Sequence, residues 1–269
     1  MDKINLDAIV QEPIQGHNSK GDQPKWQLDG KWYKADHMGH EALAEVLISG
    51  LLKKSSVSDF VEYKPVLIQY QGKETPGCVS QSFRKKDEML VPFERLHRAY
   101  EGQGLAAALG KIADPQERIR YTVDFIEQTT ALAGVGAYLT LLLELDSFFL
   151  NEDRHMNNLA VIRNEKTKEF RLCPIFDNGL ALLSDLNDYP LERDIYDCIS
   201  RVHAKPFDLD FDAQVEAAEV LYGSQLKFHF GHQNIRQEVE RLSGLYPQET
   251  LERAERILYE QMRKYQVYF

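Results

Sequence analysis

The spacing of apolar residues changes period twice along this chain, and that limits the architectures open to it. Up to about residue 84 the pattern is largely that of strands. Beyond it apolar residues recur at helical spacing, interrupted by one hairpin-like stretch between residues 159 and 176. Strands gathered first and helices afterwards indicate an α+β chain in two parts. Residues 1–84 would form a small strand-rich lobe and 85–269 a larger helical one, leaving a cleft between them. With 269 residues the chain is long enough for one large domain or two modest ones.

Several stretches carry specific signals. KWQL and KWYK are joined by Asp29-Gly30, the strongest short-range hairpin signature, which puts Lys34 near a strand end. In GHEALAEVLISGLLKK, Leu43, Leu47 and Leu51 recur every four residues, and Lys53 and Lys54 suit the last turn of a helix. Pro65 to Tyr70 and Gly77 to Phe83 read as strands flanking a turn over QGKETP. Asp114-Pro115-Gln116-Glu117 combines an N-cap acid, proline in the first helical position and a capping-box glutamate, predicting a helix to about Leu132. Gly134 to Leu150 is strongly apolar, but it holds 17 residues and contains Glu144 and Asp146, so it reads as a core helix rather than a membrane span. Three further helices are predicted toward the C-terminus, the last with Leu251, Ala254, Leu258, Met262 and Tyr265 on one stripe.

Lys and Arg number 32 against 42 Asp and Glu, a net charge of −10 that argues against broad adhesion to nucleic acid or anionic membranes. The three cysteines, Cys78, Cys173 and Cys198, are odd in number and widely spaced, which favours buried thiols in a reducing compartment over a disulfide framework. MDKINLDAIVQEPIQ lacks the basic and apolar regions of a signal peptide, so a cytoplasmic location is expected. His37 with His40, and His229 with His232, lack the partners of a zinc site and read as surface histidines. Trp26, Trp32 and Tyr33 read as sheet packing.

The chemistry concentrates in FFLNEDRHMNNLAVIRNEKTKEFRLCPIFDNG. Asp153 and Asn158 follow the apolar helix five residues apart, and Asp177-Asn178-Gly179 follows the hairpin. Phosphoryl transfer from a nucleotide needs a carboxylate to orient the attacking hydroxyl, oxygen ligands for Mg²⁺ and a cation for the phosphates. Asp153 fits the first role, Asn158 and Asp177 the second, and Lys34 the third. Lys34 would be held by Glu41, or by Glu45 one helical turn further on. His155 would brace the loop around Asp153.

Asp-x4-Asn, a hairpin and Asp-x-Gly, preceded by a strand lysine and a helix glutamate, resemble the protein-kinase-like fold. HNSKGDQPKWQ, WYKAD followed by HEAL, LNEDRHMNN and PIFDNG most resemble the HipA-type bacterial serine/threonine kinases, the toxin halves of some toxin–antitoxin pairs. The matches run from residue 17 to 179. The resemblance implies a bilobal α+β fold, ATP and Mg²⁺ as cofactors, a protein substrate phosphorylated on serine or threonine, and an antitoxin or regulatory protein as partner. It also implies a phosphate loop with Ser19, Lys20 and Gly21, Ser19 being the residue for autophosphorylation, and an adenine-contacting hinge at Gln81, Ser82 and Phe83. Asn178 stands where many kinases have phenylalanine, and the phosphate loop has no GxGxxG. DRHMNN also has the lettering of phosphatidylinositol kinases, so a lipid or small-molecule kinase is one alternative and a nucleotide-binding pseudokinase another.

Overall fold

The computed structural model describes residues 2–11 and 23–269; Ser19, Lys20 and Gly21 lie outside the described residues. The chain divides into two compact units. One comprises residues 1–82, 176–202 and 227–269, the other residues 83–175 and 203–226.

The first unit is built on a five-stranded sheet. Its strands are β1 (Lys3–Asn5), β2 (Lys25–Leu28), β3 (Lys31–Ala35), β4 (Lys64–Tyr70) and β5 (Lys73–Gln81), in the order β1-β4-β5-β3-β2. β1 runs parallel to β4, and the other pairs are antiparallel. The β2–β3 turn has Asp29 at φ 50° and Gly30 at φ 73°, the positive pair a two-residue hairpin turn requires. β4 and β5 are joined in the same way by Gln71 (φ 52°) and Gly72 (φ 72°), so the six-residue turn expected over QGKETP is in fact two residues long. Its remaining polar residues extend β5, where they lie exposed or half-buried on the outer end of the hairpin. Trp26, Tyr33, Ala35, Val66, Ile68 and Leu6 form the core cluster against this sheet, and Trp26 meets Tyr70 edge to face at 4.9 Å.

Helix α1 (Glu41–Leu52) is buried along all 12 residues. It packs on β3, β4 and β5 and also on α8 (His232–Glu240), which in turn packs on α9 (Gln248–Lys264). A helix covered on two sides needs apolar residues all round, which is why its sequence is apolar beyond a single stripe. The stripe on α9 is buried at Leu251, Ala254 and Leu258, with Ile257 beside them. The short α6 (Ile195–Ile199) completes the unit, capped by Asp194.

The second unit contains a three-stranded antiparallel sheet, β6 (Glu88–Pro92), β7 (Ala160–Asn164) and β8 (Phe170–Leu172), with β7 in the middle. Around it lie α2 (Phe93–Glu101), α3 (Leu105–Leu109), α4 (Pro115–Thr130), α5 (Val135–Phe149) and α7 (Phe211–Tyr222). α5 packs against α4 and α7. Asp114 caps α4 through the Gln116 N–H at 3.1 Å. The turn from helical to strand character at residues 159–176 is the β7–β8 hairpin, but its first partner is β6, in a stretch whose pattern reads as helical. None of the three cysteines forms a disulfide, and all three are buried. His37, His229 and His232 are exposed, whereas His40 is buried, contrary to the expected surface position. It sits immediately before α1, where its backbone N–H bonds to Ser184 O at 3.1 Å. No helix of the described residues is long and apolar enough to cross a membrane.

Candidate active site

In the first unit the chemistry gathers on Lys34. β3 carries this lysine, paired with Cys78 of β5, and its Nζ lies 2.5 Å from Glu45 Oε1 and 2.8 Å from Asp177 Oδ1. Burial alone would lower the lysine pKa, but Asp177 and Glu45 outweigh it and hold the ammonium well above the usual range. The same burial pushes Tyr63 and Cys78 upward, so both are neutral beside the cation; the Tyr63 ring centroid is 5.3 Å from Nζ.

Of the two glutamates weighed for Lys34, Glu45 makes the pair. Glu41 is the first residue of α1 and turns back on the preceding backbone, accepting from the N–H groups of Met38 at 2.8 Å and of His37 and Gly39 at 3.2 Å. The expected Lys34–Glu41 pair is thereby replaced, because unsatisfied amides at the helix entry claim the nearer carboxylate. Glu45 does more than pair. Its second oxygen accepts the Asn178 N–H at 2.9 Å, tying the Asp-Asn-Gly segment to α1. Burial raises the Glu45 carboxyl while Lys34 pulls it down.

Asp177 has φ 61°, a left-handed conformation that aspartate tolerates better than most residues. The segment after it is docked on the entry to α1 by Leu186 N–H to Met38 O and by a bridge between Gly39 and Asp185. A Cβ on Gly39 would lie 2.0 Å from Ser184 O, so only glycine allows this approach. Asp36 continues the bracing, accepting from Ala42 N–H and the Tyr246 hydroxyl, each at 2.7 Å.

In the second unit the focus is Asp153. α5 ends in Leu150, left-handed at φ 56°. The loop then folds back on Asp146, one of the two charges in an otherwise apolar helix. Asp146 receives Arg154 through Nε at 2.8 Å and Nη2 at 2.9 Å, and Asn151 Nδ2 at 2.8 Å. The Arg154 and Asp146 side chains are 0% and 1% exposed. Asp153 therefore follows from a pinned neighbour on its C-terminal side, and its own N–H bonds to Asn151 Oδ1 at 3.3 Å. Its carbonyl accepts both the His155 N–H at 2.8 Å and Asn158 Nδ2 at 2.9 Å. That bond turns the Asn158 amide nitrogen toward the loop. The Asp153 carboxylate is flanked by His155 Nε2 at 3.8 Å and Lys205 Nζ at 3.5 Å. Sequence reasoning did not single out Asp146, Arg154 or Lys205. Two acids inside an apolar helix were the available signal for Asp146.

At the expected hinge, β5 ends at Gln81, which is exposed. The Ser82 N–H is committed to Gly30 O at 2.9 Å, and Phe83 O accepts Arg171 Nη2 at 2.9 Å. Arg171 is itself paired with Glu88 at 2.8 Å and 3.0 Å, which places Glu88 of β6 at the start of the second unit.

Among the described residues no group of three or more His, Cys, Asp or Glu is arranged to hold a metal ion. Asp177, in the first unit, and Asn158, in the second, are each hard oxygen donors of the kind Mg²⁺ prefers. The Asp177 side chain is 38% exposed and so open to an ion. The donor chemistry fits magnesium.

No family model matches the sequence, and no curated protein does. Solved structures do. A proinflammatory kinase from Helicobacter pylori, CtkA, superposes with a TM-score of 0.64 at 16% identity, over 97% of this chain and 94% of that one. HipA from the Shewanella oneidensis MR-1 toxin–antitoxin system, solved with HipB and operator DNA, superposes with a TM-score of 0.59 at 13% identity, over 96% of this chain and 68% of its own. The chain has an α+β, HipA-type kinase-like fold.

Proposed function

We propose that this chain is an ATP-dependent phosphotransferase that phosphorylates a serine or threonine hydroxyl of a protein. The observation that carries the reading is Lys34, buried between Glu45 of α1 and Asp177 of the Asp-Asn-Gly segment. A lysine so placed is preorganised as a phosphate cation and is costly to bury for structural reasons alone.

Lys34 holds the nucleotide phosphates and Glu45 fixes its position. Asp177 and Asn158 supply oxygen ligands, and Mg²⁺, when bound, neutralises phosphate charge. Asp153 receives the acceptor proton. The acceptor oxygen forms its bond to the γ-phosphorus as the bond from phosphorus to the ADP oxygen breaks, ADP leaving with that electron pair. Gln81, Ser82 and Phe83 remain the proposed purine contacts, and Ser19, with Lys20 and Gly21, the loop for phosphate binding and autophosphorylation. The HipA structure is a complex with HipB and DNA; an antitoxin-like protein partner and a cytoplasmic location are proposed here on that likeness.

The test is the intact mass of purified protein before and after Mg-ATP, alone and with a mixture of protein acceptors, beside Asp177→Ala and Asp153→Asn. Phosphoryl adducts on self or acceptor with the parent alone support the reading. Transfer only to lipid or small-molecule acceptors would replace it with the alternative kinase class. Nucleotide binding without any transfer would make the chain a pseudokinase.

A further inference from the structure

The segment 203–209 is anchored far more firmly than a surface turn needs. Ala204 and Phe207 are both 0% exposed, and Ala204 N–H closes the turn on Leu209 O at 2.8 Å. Arg118 of α4 reaches across to Phe207 O through Nη1 at 2.6 Å while its Nε holds Ile112 O at 2.7 Å. Gln214 of α7 donates to the carbonyl of Lys205 itself at 3.3 Å. Two helices thus fix the backbone at and just after one residue whose side chain is 34% exposed and whose ammonium is 3.5 Å from Asp153 Oδ1. With Arg118, Pro206 and Leu209, Lys205 also lines an open hollow of about 370 Å³.

We infer that Lys205 is a second catalytic cation, which touches the phosphoryl group in flight at Asp153. This rests on the reading of Asp153 as the group that receives the acceptor proton. A hydroxyl donating to that carboxylate lies about 2.5–3.0 Å from it. An ammonium 3.5 Å from Oδ1 of that carboxylate is mounted on the same side chain that receives the acceptor hydroxyl, within reach of a phosphorus bonding to the acceptor oxygen. At this distance the contact is an ion pair rather than a tight hydrogen bond, so the ammonium can turn toward a phosphoryl oxygen without leaving Asp153. In the transfer step the acceptor O–H proton goes to Asp153, the O–P bond forms and the P–O bond to ADP breaks with its electrons on ADP. Lys205 exchanges no proton and forms no bond; it stabilises negative charge on the equatorial oxygens. At 3.5 Å the pair lacks the short contact of a strong charge-assisted hydrogen bond, so the firm mounting is explained by placement of charge rather than by the strength of this contact.

Lys205→Met keeps the stem and removes the charge. With the parent and Lys205→Met compared in Mg-ATP-dependent phosphotransfer, kcat is expected to fall on the order of 10²–10³-fold, with KM for ATP changed less than about threefold and the melting temperature unchanged. Lys205→Arg should retain part of the rate. Lys205→Cys treated with 2-bromoethylamine restores an ammonium on a side chain of similar length, and the native thiols are buried from the reagent; recovery of kcat supports the inference. Parental kcat in Lys205→Met, or a loss explained wholly by a lower melting temperature, overturns the assignment while leaving the phosphotransferase reading standing. A parent with no phosphotransfer at all overturns both.

Discussion

Asp146→Leu should be among the most damaging substitutions in the second unit, although Asp146 lies in a helix and faces no solvent. Its carboxylate takes two guanidinium donors from Arg154 and one amide donor from Asn151, and both members of the ion pair are essentially inaccessible to water. Burial raises the Asp146 carboxyl above its usual value against the pull of Arg154, the signature of a charge kept in place by its partner rather than by solvent. Removing one member of such a pair strands the other and costs about 3–5 kcal/mol. At roughly 2–4 °C per kcal/mol for a domain of this size, the melting temperature should drop by about 6–20 °C. The decisive comparison adds Arg154→Met and the double variant. Replacing both charges by apolar groups is often neutral, so the double variant should recover most of the loss in a melt followed by circular dichroism. Its loop would nonetheless lose the two donors that fix the residue after Asp153, so phosphotransfer should stay depressed when stability returns. A drop below about 1 kcal/mol in the single variant, or simple additivity in the cycle, would refute the argument.

Glu45→Gln should lower both the melting temperature, by about 1–3 kcal/mol equivalent, and nucleotide affinity measured by fluorescence titration. Glu41→Gln, which serves only backbone amides, should leave affinity at the parental value; equal effects at the two positions would contradict the observed pairing. His40 is buried, and desolvation followed by repulsion from Arg253 brings its pKa down to about 4. The unfolded chain therefore binds a proton that the folded one refuses between about pH 6.5 and 4. Stability conferred by keeping this ring neutral is present above the unfolded pKa and lost as pH falls through that window, and His40→Gln should flatten urea midpoints across it. Glu88 is held at about pKa 2, first by its hydrogen bond from Arg171. Its contribution is present above the unfolded carboxylate pKa near 4.3 and lost as pH falls toward 2, so Glu88→Gln should remove acid sensitivity in that lower window.

The elements most legible in the sequence are those whose signal is local. Asp29-Gly30 specifies its own turn, and Asp114-Pro115 specifies the start of α4, because each rests on the φ angles and hydrogen bonds of a few adjacent residues. β1 and β6 were illegible for the opposite reason. β1 is three residues long and exists through parallel pairing with β4, more than sixty positions away. β6 has a short apolar run, Met89 to Val91, directly before an amphipathic helix, so helical spacing absorbs it until β7 arrives as its partner. The site divides similarly. The expectation for Lys34, Asp153, Asn158 and Asp177 rests on residue type and spacing alone. The choice of Glu45 over Glu41 depended on which carboxylate the helix entry consumed, and Lys205 on a turn brought to Asp153 from more than fifty residues downstream.

The charge balance around Lys34 supplies the last prediction. Tyr63 and Cys78 are kept neutral by burial, so one ammonium faces two carboxylates, Glu45 and Asp177. Such a cluster carries a deficit of one positive charge in a poorly solvated place, where it matters most. Glu45 is fully buried and its second oxygen is spent on Asn178, which leaves Asp177 as the member an added cation can reach. Mg²⁺ alone should therefore stabilise the parent, by about 1.4 kcal/mol when present at roughly ten times its dissociation constant. Asp177→Asn keeps the size and an oxygen donor but removes the excess charge, and it should lose most of this gain in a melting experiment at constant ionic strength. An equal gain in both proteins would mean that the ion binds elsewhere, and the assignment of Asp177 as a metal ligand would fall with it.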